Sequence, residues 1–154
     1  MAQLLSLHAG LAPSLPKPAL MQARLVEGLG VEGDRHFGKH PDRAVLVAGQ
    51  VSYAQALQAG IQLPYGALGE NLLVDFDPHL LGEGARLRIG TAVLELTTIC
   101  TVCDSLSVFD LRLPKVLYNR RGLYARVLQG GVVRIGDWVE ILNSPDCTES
   151  VSFG

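Results

Sequence analysis

Short apolar runs, each cut off by glycine, proline or a polar turn, set the tightest limit on what this 154-residue chain can fold into. Eight of them read as strands: residues 4–8, 20–26, 43–48, 71–75, 85–89, 92–99, 124–128 and 138–142. Within the sixth, Val93-Leu94-Glu95-Leu96-Thr97 partly alternates apolar and polar side chains, as a half-buried strand does. Arg88-Ile89-Gly90-Thr91-Ala92-Val93 is echoed by Arg134-Ile135-Gly136-Asp137-Trp138-Val139. Each copy puts a glycine between two strand runs, where a tight turn calls for positive φ. A sequence that is 48% apolar and cut into such short pieces must curl or close its sheet, because open edges invite aggregation. The expected fold is mostly β: a curled or closed barrel-like single domain with a few short helices. Its core covers about residues 4–142, and 143–154 form a polar tail without periodicity.

Two segments read as helices. Residues 50–59 place Val51, Ala54 and Leu57 on one side and stop at Gly60. Residues 104–111 start with Asp104 as N-cap and turn away before Pro114. Thirteen basic against fifteen acidic side chains give a net charge of −2, which argues against general nucleic-acid binding. No run approaches the roughly 18 apolar residues of a membrane helix, so no membrane association is expected. The N-terminus lacks the basic start of a signal peptide. With three cysteines, Cys100, Cys103 and Cys147, that points to reduced thiols and a cytoplasmic protein.

Three segments carry candidate chemistry. The first is Gly28-Leu29-Gly30-Val31-Glu32-Gly33-Asp34-Arg35-His36, followed by Arg43 just before a strand. Glycines such as Gly33 let backbone approach a ligand, Asp34 and His36 can hydrogen-bond, and Arg35 is charged. The spacing does not match a dinucleotide fingerprint. Alternatively, the segment is a surface turn whose glycines serve geometry. The second is Pro64-Tyr65-Gly66-Ala67-Leu68-Gly69-Glu70-Asn71-Leu72, read either as a hairpin with a polar tip or as side chains at a barrel mouth. The third is Cys100-Thr101-Val102-Cys103 at a strand end. Two thiols without a second pair at related spacing are too few for structural zinc, so none is expected. No βαβ setting supports a thioredoxin-like pair. Cys100 reads as a buried apolar thiol and Cys103 as the reactive one.

Together these segments resemble the MOSC family, the domain named after the C-terminal part of molybdenum cofactor sulfurases. The similarity runs from about residue 4 to 142. The family's early His, following Lys, Gly-x-x-Gly-Asp-x-His and Arg match His8, Lys17, Gly30–Gly33–Asp34–His36 and Arg43. Its Gly-Glu-Asn is Gly69-Glu70-Asn71, and its Cys with Leu three residues on is Cys103 with Leu106. Its glycine-punctuated Leu-Gly to Ile-Gly stretch is residues 81–90, and its closing Ala-Arg-Val-Leu-x-Gly-Gly begins at Ala125-Arg126. The family's usual Pro before the cysteine, and its frequent Arg, are replaced here by Val102 and its neighbours.

The resemblance implies a β-barrel that handles sulfur or the molybdenum cofactor. Cys103 would be the persulfide carrier or a molybdenum ligand, with Asp34 and His36 catalytic. His8, Lys17, Gly33, Arg43, Glu70, Asn71 and Arg126 would bind cofactor. Alternatives are a molybdenum–pterin enzyme that reduces N-hydroxylated compounds and a non-catalytic binding barrel. The larger sulfurases add a pyridoxal-phosphate domain that these residues do not include. The implied partner is therefore a sulfur donor such as a cysteine desulfurase, or an electron-donor protein.

Overall fold

Residues 2–101 and 104–142 are the part of the chain described by the structure, a computed structural model. They form strands β1 (Ala2–His8), β2 (Ala19–Leu20), β3 (Gln22–Val26), β4 (Gly30–Val31), β5 (Val45–Gly49), β6 (Leu72–Val74), β7 (Arg86–Ile89), β8 (Ala92–Ile99), β9 (Leu123–Gln129), β10 (Gly131–Arg134) and β11 (Trp138–Ile141). Helices α1 (Gln50–Gln58) and α2 (Leu113–Val116) and three short 3-10 turns complete them.

Seven strands run in the order β11-β7-β8-β9-β5-β6-β1, and β1 returns to β11 through Ala2 opposite Val139 and Gln3 opposite Trp138. The sheet is thus a closed barrel, with β2 added at the far end of β1. Closure leaves few edges, which suits strands this short. A smaller sheet, β10-β3-β4, lies beside it. Among the described residues of the barrel, β5 and β6 are the one pair that runs parallel, Val47 opposite Leu72. Parallel strands need a crossover, and α1 provides it.

Two apolar clusters result. On β9, Leu123, Ala125 and Val127 are buried and alternate with partly exposed neighbours. With Leu87, Ile89, Leu94 and Leu96 they fill the barrel. Strand β5 is buried at every position because the barrel core lies on one face and a helical layer on the other. That layer packs Tyr53, Ala56, Leu106, Leu113 and Leu117 against Ala48 and Leu73.

Of the curled and closed sheets expected, the structure has the closed barrel, but several local expectations are corrected. Residues 20–26 break at Met21, and Arg43 ends a 3-10 turn (Pro41–Arg43) before β5 begins. The single helix expected over 104–111 is a 3-10 turn, Asp104–Val108, and Pro114 sits inside the first turn of α2, where a missing N–H costs nothing. The face of α1 that packs is Ser52, Tyr53 and Ala56, while Val51 and Leu57 are exposed. Strands β4 and β10 were not foreseen, being only two and four residues long and each opening on a glycine. No helix among the described residues is long and apolar enough to cross a membrane.

Gly122 leads into β9 with φ +148°, and a Cβ there would lie 2.5 Å from the Val47 carbonyl oxygen of β5. Gly122→Ala must therefore push apart two paired strands. We expect it to destabilise the protein by at least about 1 kcal/mol, read as a lower urea midpoint. An unchanged midpoint would contradict this account of the junction.

Candidate functional site

A cavity of about 300 Å³ opens where the loop after β1, the loop after β4, the end of β8 and the start of β9 meet. Lys17, Arg35, His36, Arg43, Asn71, Cys100, Ser105, Arg121 and Tyr124 supply its polar and reactive lining, and no carboxylate is among the lining residues described.

The rim is tied together by Asp34, whose side chain is fully buried behind it. Its Oδ1 lies 2.9 Å from Lys17 Nζ and accepts a hydrogen bond from the Gly10 amide at 3.2 Å. Its Oδ2 accepts from the His36 amide and faces His36 Nδ1, each at 3.2 Å. Burial alone would raise the Asp34 pKa, but the His36 hydrogen bonds and the Lys17 charge outweigh it. The carboxyl is held well below the usual range. Lys17 meets Asp34 as an ion pair by distance, yet its buried Nζ has no partner at hydrogen-bond geometry.

Lys17 is placed by its own backbone. Its amide donates to the Gly66 carbonyl at 3.0 Å. Its carbonyl lies 3.1 Å from His8 Nδ1, so that nitrogen carries the proton, and His8 Nε2 accepts from Ser6 Oγ at 2.8 Å. Burial lowers the His8 pKa and keeps the ring neutral in this role.

On the opposite wall Cys100 is 2% exposed and its Sγ lies 3.3 Å from Tyr124 Oη. The Arg43 guanidinium sits 6.0 Å from the Tyr124 ring centroid, within reach of a cation–π attraction. Burial, then the hydrogen bond and charge of Cys100, push the Tyr124 pKa up to about 12. Arg121 is buried and donates to the Leu68 carbonyl at 2.6 Å and to Ser105 Oγ at 3.2 Å, which fixes the cavity floor to its neighbouring loop.

Of the residues singled out in the sequence, Lys17, Arg35, His36, Arg43, Asn71 and Cys100 line the cavity and Asp34 stands directly behind them. His8, Gly33, Glu70 and Arg126 are not among its lining residues. Glu70 is fully buried, and its Oε2 accepts from Tyr53 Oη at 2.6 Å and the Gly66 amide at 3.2 Å. It braces the 64–69 loop instead of facing a barrel mouth, and its burial raises its pKa. Asn71 uses both ends of its amide on backbone, accepting from the Leu46 amide and donating to the His8 carbonyl, each at 3.0 Å. Gly33 is an exposed turn residue with φ +88°. Arg126 points outward to Asp42 and Glu95, each at 3.4 Å. Cys103 lies outside the described residues.

Arg121, Tyr124 and Ser105 join the lining without having been chosen from sequence. The pair Arg120-Arg121 ahead of Gly122 and a strand was the available signal for the first. No group of three or more His, Cys, Asp or Glu among the described residues is placed to hold a metal ion.

Asp34→Asn would leave the Lys17 charge buried without its counter-ion, at a cost of about 3 kcal/mol at neutral pH. Because folding depresses the Asp34 pKa, its contribution is complete above the unfolded value of 3.8 and fades as pH falls toward the lower folded value. Denaturant titrations should show the full gap between wild type and variant at pH 7 and a shrinking gap below about pH 4. A gap independent of pH would refute this role.

Comparison with known proteins agrees with this architecture. The family model described as MOSC domain matches residues 32–140. Among solved structures, the YUAD protein from Bacillus subtilis superposes with TM-score 0.76 at 20% identity, over 92% of this chain and 96% of that one. YiiM from Geobacillus stearothermophilus gives TM-score 0.75 at 19% identity, over 93% of this chain and 76% of that one. YiiM from Escherichia coli gives 0.72 at 23% identity, over 93% and 70%. No curated protein matches the chain. Identities at this level establish a common fold, and the family model covers most of the sequence: the chain belongs to the MOSC domain family.

Proposed function

We propose that the protein handles sulfur or the molybdenum cofactor at this cavity, with Cys103 as persulfide carrier or molybdenum ligand. The observation that carries the reading is the charge of the lining: Lys17, Arg35, Arg43 and Arg121 surround a space with no lining carboxylate among the described residues. The wall at Cys100 lies only three positions before Cys103 in the chain. The donor set suits the cofactor. Guanidinium forks and an ammonium match a phosphate, and a thiolate suits a soft metal centre.

When bound, the cofactor supplies a redox-active metal and a phosphate anchor. The chain's own residues divide the remaining work. Lys17, Arg35 and Arg43 bind the phosphate. His36, with Nδ1 held by Asp34, can take or give a proton at Nε2. His8, Gly33, Glu70 and Asn71 set the loops that carry those groups, and Arg126 stays on the outer face. Sulfur comes from a donor such as a cysteine desulfurase, or electrons from a donor protein. The half-exposed His36 also favours the enzyme form of this reading, reduction of N-hydroxylated compounds, which needs a proton donor at the site.

The decisive measurement is molybdenum, pterin and persulfide content after purification under reducing conditions from molybdenum-replete cells. We expect wild type to carry cofactor or a Cys103 persulfide. Cys103→Ala and Arg43→Ala should each cut retention by about tenfold or more, the worth of one charge-assisted contact. Wild type with neither cofactor nor persulfide would remove the reading.

A further inference from the structure

We propose that the cavity also accepts a small anionic sulfur donor of the thiosulfate class, and that Cys100 is the thiol that takes its sulfur. The inference rests on the reading of the cavity as an anion site and adds a substrate class and a second sulfur-bearing residue.

Three observations converge. Cys100 is not simply core: it is part of the cavity wall, and its amide is fixed on the Gly122 carbonyl at 2.9 Å, which holds the residue in place at the end of β8. Its Sγ faces Tyr124 Oη at 3.3 Å, a hydroxyl that can donate to the sulfur once the thiol proton has left. Lys17, whose side chain is 4% exposed, lines the same cavity with Asp34 behind it at 2.9 Å, so one ammonium and the guanidiniums of Arg35, Arg43 and Arg121 face a space that no described carboxylate lines. A dianion fits such a lining better than a neutral donor, since Arg35 and Arg43 add charge with no described ion pair of their own.

The chemistry balances within the site. The Cys100 thiol loses its proton to water, and the thiolate is the attacking form. It attacks the outer sulfur of thiosulfate. A new sulfur–sulfur bond forms at Cys100, the donor's own sulfur–sulfur bond breaks, and sulfite leaves with that electron pair. One thiolate and one thiosulfate dianion become one Cys100 persulfide anion and one sulfite dianion, with no external oxidant or reductant. The cations hold the three oxygens that remain on the leaving group, where charge accumulates.

The test incubates the reduced full-length protein with thiosulfate. Released sulfite is measured, and the modified cysteine is located by fragmenting the peptide that carries both Cys100 and Cys103. Molybdenum and pterin are assayed in the same preparation. We expect the mass of one sulfur atom on Cys100 and an equal amount of sulfite. Cys100→Ala and Cys100→Ser should each lower sulfite release about tenfold or more, Cys147→Ser should leave it unchanged, and Arg43→Ala should raise the thiosulfate KM about tenfold, the worth of one charge-assisted contact. Excess sulfate should slow the reaction by competing for the cations. Sulfur found on Cys103 alone, or no sulfur transfer by folded wild type, overturns the inference. Cofactor retention without sulfur transfer would sink this inference and spare the proposed function, whereas sulfur transfer without cofactor would do the reverse for the molybdenum reading.

Discussion

The rim of the cavity depends on one buried carboxylate. Asp34 gathers Lys17, the Gly10 amide and both donors of His36 around its two oxygens. It thereby joins the loop after β1 to the loop after β4, two segments with no strand pairing between them at that point. A carboxylate out of water is costly unless its lone pairs are filled and a counter-ion stands close. Here both conditions hold, so the charge is kept and the two loops are locked together. With the hydrogen bond from the Arg35 amide to the Gly10 carbonyl at 2.9 Å, that carboxylate holds Lys17 and His36 on one wall of the cavity.

A second polar brace works on the other side. Glu70 and Tyr53 hold the amide of Gly66, and the Gly66 carbonyl holds the amide of Lys17. Gly66 sits at φ +92°, and a Cβ there would lie 2.5 Å from the Lys17 carbonyl oxygen, so the two backbones approach as only glycine permits. Leu68 of the same loop accepts from Arg121. The Glu-Asn pair is therefore polar for the sake of backbone. Glu70 supports the loop from beneath, while Asn71 stitches β1 to β5 beside the parallel β5–β6 pair.

This division explains what was legible in the sequence. Strand runs and the two Gly turns at Gly90 and Gly136 announced a closed β fold because period and turn chemistry are local signals. Residues 92–99 were read with their bounds intact, since β8 is long and alternating. The buried face of α1 was misread for a physical reason. Tyr53 and Ser52 look polar, but Tyr53 finds Glu70 and Ser52 finds the Arg120 carbonyl, so tertiary partners override hydrophobicity. Likewise Arg43 and Lys17 could be picked out by motif, whereas Tyr124 and Arg121 reach the cavity only through the curvature of the closed sheet. Glu70 and Arg126 carried the same motif-level signal as Lys17, and nothing in sequence spacing separates a brace from a lining residue.

The distribution of charge turns a net acidic chain into an anion receptor. Most surface arginines are matched by acids: Arg86 with Glu95, Arg88 with Glu140, Arg112 with Asp110, Arg120 with Asp77 and Arg126 with both Asp42 and Glu95. Such exposed pairs contribute little stability, typically under about 1 kcal/mol each. Their consequence is electrostatic, because they cancel charge outside the cavity and leave the cationic field concentrated within it. Asp34 neutralises part of Lys17 from behind the lining, while Arg35 and Arg43 have no described acidic partner. In a concave, partly dry space these guanidiniums act at a lower effective dielectric than at the open surface, which strengthens their pull on an anion. The −2 net charge of the whole chain is thus compatible with strong local attraction for a dianion, and it disfavours the polyanionic strands that a uniformly basic surface would collect.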